Sequence, residues 1–160
     1  MIRPASERDA DQIAAIYNHY VEHTVITFEE ELVPVAEMAQ RIACVTAQYP
    51  WLVLEHEQEI CGYAYGTRWR ERASYRFAVE STVYLAPART GQGLGTTLYA
   101  ALLEQLREAG FHCVLGGIAL PNEASVALHE KLGFRKVAEL KDVGRKLDRW
   151  IDVGYWQLML

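Results

Sequence analysis

The segment from Glu80 to Gly95 limits what this chain can become more than any other. It reads Glu80-Ser81-Thr82-Val83-Tyr84-Leu85-Ala86-Pro87 and then, after Ala88-Arg89-Thr90, Gly91-Gln92-Gly93-Leu94-Gly95. The first part is rich in β-branched and aromatic residues and reads as a strand carrying an acid. The second places glycines at alternate positions, which lets a backbone turn with its N–H groups converging. From Thr96 onward, Thr97-Leu98-Tyr99-Ala100-Ala101-Leu102-Leu103 reads as helix. A strand, a glycine turn and a helix N-terminus in succession offer a candidate base and a seat for phosphate.

Two common phosphate loops do not fit these residues. A P-loop closes its glycine run with Gly-Lys-Ser/Thr, and this one ends Gly95-Thr96-Thr97. A dinucleotide fingerprint lies in the first βαβ unit with an acid about 20 residues further on. Here the loop comes past mid-chain, and the acids that follow, Glu104 and Glu108, lie on the helix itself.

The arrangement that does fit, Pro87 and then Gly93-Leu94-Gly95 entering a helix, resembles the acyl-CoA loop of the GNAT superfamily of N-acetyltransferases. The resemblance extends along the chain through Ile2-Arg3-Pro4-Ala5, Tyr49-Pro50-Trp51-Leu52-Val53, Glu80-Ser81-Thr82-Val83-Tyr84, Leu120-Pro121-Asn122, His129-Glu130-Lys131-Leu132-Gly133-Phe134 and Asp152-Val153-Gly154-Tyr155-Trp156-Gln157. In that order the strings are similar to the phosphinothricin and methionine sulfoximine acetyltransferase branch. The resemblance implies an α/β fold of one N-acetyltransferase domain over residues 1–160, a mixed central sheet flanked by helices. It also implies acetyl-CoA as co-substrate, a small amino-acid-like acceptor, no metal, and a homodimer.

Composition agrees with one such domain. A chain of 160 residues can bury roughly 70% of its unfolded surface in a single core. A net charge of −5 argues against nucleic acid as the main partner, since duplex binding leaves a basic footprint. No apolar run reaches the roughly 20 residues of a membrane span, and Met1-Ile2-Arg3-Pro4 has no apolar signal core, so the expectation is a cytoplasmic protein without a membrane partner. Cys44, Cys61 and Cys113 form no Cys-x-x-Cys pair and sit among apolar residues, which reads as buried reduced thiols.

Hydrophobic spacing predicts the order of elements. Ile2-Arg3-Pro4 is a short strand, and Ser6 with Asp9 forms a capping box for a helix to about Tyr20. Pro34 opens a second helix with Met38, Ile42 and Val45 on its apolar side, ending near Gln48. Strands follow at Trp51–Glu55, Ile60–Thr67 and Arg76–Leu85, the last alternating so that Glu80, Thr82 and Tyr84 share a face. The helix after the glycine loop runs to about Ala109, a strand covers Cys113–Ile118, and a helix covers Glu123–Leu132. Two strands, around Phe134–Leu140 and Val153–Leu160, are joined by a loop rich in Lys, Gly and Asp.

Acetyl transfer from a thioester to an amine needs a base for the ammonium, donors for the oxyanion, and a way for the thiolate to leave. Glu80 is the candidate base; the competing reading is a strand glutamate paired with an arginine such as Arg76. The family resemblance places oxyanion and pantetheine contacts on the backbone of Val83, Tyr84 and Leu85, and phosphates on Gly91, Gln92, Gly93, Leu94, Gly95 and Thr96. Many relatives carry Gln or Arg where this chain has Thr90, with Arg89 displaced by one. His129 is the matching position for a proton donor to the thiolate, or a packing histidine. Asn122 is a partner for the pantetheine amides or a plain helix cap, and Lys131 a phosphate contact. For the acceptor, the resemblance points to Phe28 and Thr82, and to Arg70, Arg72 and Tyr75 in the loop before the Glu80 strand, where arginines could grip a carboxylate or phosphinate.

Overall fold

The strand β4 (Ala78–Leu85) shows how alternation divides the molecule into layers. Val79 and Ser81 are buried on one side of it, while Glu80, Thr82 and Tyr84 project from the other. The neighbouring β2 (Trp51–His56) has its first four residues buried, because both of its faces are covered. Leu52 and Leu54 join the core that includes Leu98, Leu102 and Leu106, and Trp51 and Val53 join one with Ile13, Met38 and Ile42.

The computed structural model describes residues 1–160. In chain order the remaining elements are β1 (Ile2–Pro4), α1 (Ala10–His23), α2 (Val35–Thr46), β3 (Glu59–Arg68), α3 (Leu94–Glu108), β5 (Cys113–Leu120), α4 (Glu123–Lys131), β6 (Arg135–Lys146) and β7 (Arg149–Met159). The strands form one mixed sheet in the order β1-β2-β3-β4-β5-β7-β6. Helices α1 and α2 cover one face. On the other, α3 buries Leu98, Tyr99, Leu102 and Leu106 completely. Each such side chain contributes roughly 1.5–3 kcal/mol of burial.

The ends of the elements follow their local chemistry. The Asp9 carboxylate accepts from the Ser6 N–H (2.8 Å) and from the fork of Arg3 (2.8 and 2.9 Å), so a short 3-10 turn leads into α1. Asn122 Oδ1 accepts from the Ser125 N–H at 3.1 Å and caps α4. Gly110 and Gly133, both at positive φ, stop α3 and α4.

Three expectations need correction. The Lys-, Gly- and Asp-rich segment is not a loop: β6 and β7 extend through it and meet at Leu147-Asp148, both at positive φ (48° and 57°). That geometry suits a two-residue hairpin, but the pair lacks the Asn-Gly or Asp-Gly signature that would announce it. The Glu80 strand begins at Ala78 and not at Arg76, because Ala73–Tyr75 forms a 3-10 turn and Arg76 caps it. Of the cysteines only Cys61 is buried; Cys44 is exposed. It stands two positions past Ile42, about 200° around the helix from the buried side.

Candidate active site

The site originates in a fork between two parallel strands. β4 pairs with β5 only at Ala78–Cys113, Val79–Val114 and Glu80–Leu115. Beyond that point β4 stays with β3 as far as Leu85, and β5 stays with β7 as far as Leu120. Ser81–Leu85 and Gly116–Leu120 therefore face a slot with no ladder across it. Antiparallel strands exchange hydrogen bonds at alternate residues. The Ala86 N–H bonds the Cys61 carbonyl at 2.8 Å, which assigns the even-numbered residues of β4 to β3. The N–H groups of Val83 and Leu85 thus point into the slot, while Tyr84 contributes its side chain.

On the α1 side of the sheet the slot opens into a cavity of about 440 Å³ containing Glu80. A narrower space of about 90 Å³ lies inside the fork, lined by Ser81, Val83, Asn122 and His129. The two adjoin, sharing Ile26, Thr82, Tyr84, Gly117 and Ala119. Glu80 stands at the junction with no ion-pair or hydrogen-bond partner for its carboxylate, so the pairing with Arg76 is not made. Burial raises its pKa above the ordinary carboxylate value, and the positive charge of Arg70 opposes that rise in part. Gly117 faces it: a Cβ there would stand 3.6 Å from Glu80 Oε1 and 3.2 Å from the Tyr155 ring.

The cavity wall is mostly aromatic and aliphatic. Tyr17 and Tyr65 join the expected Phe28, Thr82 and Tyr84, and the β6–β7 hairpin brings Leu140, Val143, Val153 and Tyr155. Sequence reasoning missed the hairpin's contribution. The only signal was Tyr155, which alternates along its strand with the buried Gly154 and Trp156.

Phe28 is held by the same hairpin. Its ring occupies the space that a Cβ on Gly144 would need, 2.3 Å away. Next to it in the chain, the Thr27 carbonyl accepts from the buried Lys146 ammonium at 2.9 Å, and Thr27 Oγ1 bonds the Tyr17 hydroxyl at 2.8 Å.

The arginine loop is arranged otherwise than expected. Arg70 lies over the Trp69 ring (4.7 Å), and Trp69 meets Tyr155 edge-on (5.5 Å), so Arg70 reaches only the rim of the cavity. Arg72 lines a separate basin together with Arg68, Arg70 and Arg76 that shares no residue with the Glu80 cavity. Tyr75 is exposed on its 3-10 turn. Within one chain, Arg72 and Tyr75 are not brought to the site.

At the far end of β4, Gly91 and Gly93 take φ of +74° and +76°, and Gly93 is the residue at which α3 starts. Nothing stands within 4 Å of a Cβ at either position, so it is the backbone turn that requires glycine there. Gly95 is buried against Leu85 and Leu128. The Arg89 guanidinium is engaged by Glu59 at 2.9 Å and turns away from the loop. Lys131 is exposed at the end of α4.

His129 is 4% exposed, and burial lowers its pKa. Its Nδ1 lies 2.7 Å from the Ser125 carbonyl oxygen and its Nε2 3.2 Å from the Tyr99 hydroxyl. No group of three or more His, Cys, Asp or Glu is placed to hold a metal ion, and no helix is long and apolar enough to cross a membrane.

A fork between parallel strands, with free N–H groups along one side and a glycine-opened helix beyond it, defines an acyltransferase architecture. Residues 2–154 match the acetyltransferase (GNAT) domain family, and the chain belongs to it. It is 40% identical to a phosphinothricin N-acetyltransferase of Streptomyces viridochromogenes, over 98% of this chain and 85% of that protein. It is 38% identical to an L-methionine sulfoximine/L-methionine sulfone acetyltransferase of Salmonella typhimurium, over 99% and 94%. A phosphinothricin acetyltransferase from Sinorhizobium meliloti, solved in complex with acetyl-CoA, superposes with a TM-score of 0.96 at 36% identity, covering 100% of this chain and 88% of that one.

Proposed function

We propose that this chain transfers the acetyl group of acetyl-CoA to the α-amino group of a small amino-acid-like acceptor such as phosphinothricin or methionine sulfoximine, by direct attack in a ternary complex. The observation that carries this reading is Glu80: an unpaired, half-buried carboxylate where the fork meets the aromatic cavity. A carboxylate whose pKa is raised by burial is a better proton acceptor than an exposed one.

The residues of the fork suit acetyl-CoA. Open N–H groups on Val83 and Leu85 match an extended amide-bearing arm, and the Gly91–Thr96 turn at the start of α3 matches a pyrophosphate. Asn122 is both the cap of α4 and a wall of the slot, and Lys131 adds a free cation nearby. Bound there, acetyl-CoA supplies the activated acyl carbon. Glu80 takes the ammonium proton, directly or through one water; the freed amine forms the C–N bond, the strand N–H groups stabilise the oxyanion, and its collapse breaks the C–S bond and releases coenzyme A as the thiolate. Arg70 at the rim is the partner for the acceptor's carboxylate.

The exposed Val137, Leu140, Val143 and Trp150 of the hairpin support a homodimer. Leu140 and Val143 also wall the acceptor cavity, so a second copy seated on this edge would close its mouth. Sedimentation of the purified protein tests that association.

The activity is tested by following thiol release from acetyl-CoA with phosphinothricin, methionine sulfoximine, ordinary amino acids, a polyamine and an aminoglycoside. Release confined to the first two is expected. Release with the aminoglycoside or polyamine alone would overturn the reading.

A further inference from the structure

A chain of buried polar groups at the apex of the fork is not accounted for by the reaction above. Ser81 is the first residue of β4 past its pairing with β5, and Gly116 the first of β5. Ser81 Oγ lies 2.6 Å from the Tyr99 hydroxyl and 3.3 Å from the Leu115 carbonyl. Tyr99, fully buried on α3, reaches His129 Nε2 at 3.2 Å. The imidazole in turn lies over Gly116, where a Cβ would come within 2.5 Å of Nε2. One polar chain thus ties β4, α3 and α4 where the strands part, with the imidazole packed over β5 at Gly116.

For a neutral imidazole the directions of these bonds follow from their partners. A carbonyl oxygen only accepts, so His129 Nδ1, 2.7 Å from the Ser125 oxygen, carries a proton. A neutral imidazole then has a bare Nε2, and the Tyr99 O–H must donate to it. With that proton committed, the 2.6 Å contact requires Ser81 to donate to the Tyr99 oxygen, which leaves the longer 3.3 Å contact to the Leu115 carbonyl without that proton. Apart from the Tyr99 phenol, the groups against the ring are Ser125 on its own helix, Gly116, Phe134 and Ser81, none of them ionisable. Burial lowers the pKa of the ring and favours its neutral form, opposed only by the hydrogen bond to the Ser125 carbonyl.

We propose that Tyr99 is a positioning residue for acetyl-CoA: its hydroxyl locks His129 as the Nδ1–H tautomer over Gly116 and so fixes the width of the acyl slot, making His129 a wall of the slot and not the proton donor to the leaving thiolate. The proposal rests on acetyl-CoA occupying the fork and not on the identity of the acceptor.

Its test combines a spectroscopic and a binding measurement. Imidazole ¹⁵N spectra of the wild type, assigned with His129→Asn, are expected to show His129 as Nδ1–H and not titrating between about pH 6.5 and 8. Acetyl-CoA affinity measured by calorimetry is expected to fall about tenfold in Tyr99→Phe, the loss of one buried hydrogen bond. His129→Asn should lose a similar factor and the double variant no more than the worse single one, because the two act through one contact. In turnover the losses should fall on the KM for acetyl-CoA and much less on kcat. An Nε2–H or titrating His129, multiplying losses in the double variant, or a kcat collapse in His129→Asn at unchanged affinity would each overturn the proposal. The spectrum needs no variant to fold beyond assignment, and the affinity needs no acceptor. Failure of the acceptor reading alone would appear as intact binding without turnover.

Discussion

Glu80→Gln isolates the base with little disturbance of shape. The carboxylate makes no hydrogen bond or ion pair that the amide would break, and its neighbours Gly117 and Tyr155 leave room for either group. Binding of acetyl-CoA should therefore persist, and the loss should fall on kcat. An α-ammonium with a pKa of about 9 leaves roughly one molecule in a hundred as free amine at pH 7. Without a base the variant can use only that fraction, so kcat/KM should drop about 100-fold at pH 7, within the usual range for a lost general base.

The shape of the pH profile is the sharper result. The wild type should rise to a plateau through a midpoint above the ordinary carboxylate range, because burial raises the Glu80 pKa. The variant should climb about tenfold per pH unit toward the amine's own pKa, so that the gap narrows in alkali. Stability should move the other way. A pKa raised by folding means that the native state holds the proton more tightly, so its contribution is present below the unfolded value and lost as the pH rises through the folded one. Removing the charge should thus raise the melting temperature above that of the wild type at pH 7 and have little effect near pH 4. A Glu80→Gln enzyme within about threefold of wild type at pH 7, with the same plateau, would refute Glu80 as the base.

Gly93→Ala places a Cβ on a residue at φ +76° where space is free but the conformation costs about 1–2 kcal/mol; thermal unfolding should show that loss, and the KM for acetyl-CoA should rise with little change in the acceptor's. Because Glu80 is the only charged residue among those lining its cavity, a neutral sulfoximine or sulfone tail should be preferred over an anionic phosphinate by about tenfold in kcat/KM; equal values in competition assays would show that a cation reaches the tail. Lys146→Met leaves the Thr27 carbonyl without its donor, so the segment carrying Phe28 should loosen, at a cost of about 1–3 kcal/mol in stability. Its KM for the acceptor should rise with acetyl-CoA binding retained.

The parts of the site legible in the sequence are those fixed by local rules. Period-two alternation put Glu80, Thr82 and Tyr84 on one face, and the glycine run announced a positive-φ turn before α3. Asn122 after Pro121 announced a cap and is one. The free N–H groups of the fork are also sequence-local once the strand ends are known, but the fork itself is not. It arises because β5, paired along its whole length with β7, a partner about 40 residues further along, diverges from β4 after Leu115. The hairpin that completes the cavity turns on Leu147-Asp148, a pair that no turn rule favours, and so the wall it supplies was read as a loop.

The arginine loop shows why composition near a site is a poor guide to its chemistry. Arg70 and Arg72 are two residues apart and both line the basin shared with Arg68 and Arg76, but only Arg70 also lies over Trp69, whose ring meets Tyr155 of the cavity wall. A loop has no fixed period, so the side-chain direction of each residue depends on what it meets: for Arg70 that is an aromatic face, itself held against Tyr155. Arg70 and Arg72 near an acceptor site suggested a grip on a carboxylate or a phosphinate. The fold instead leaves one of them at the rim, where it can meet the acceptor's carboxylate, and surrounds the tail with Phe28, Leu140, Val143 and Val153. In the proposed complex both features would follow from separating charge from burial: the acceptor's carboxylate would stay near solvent with Arg70, its amine would face Glu80, and its side chain would enter the mostly apolar cavity.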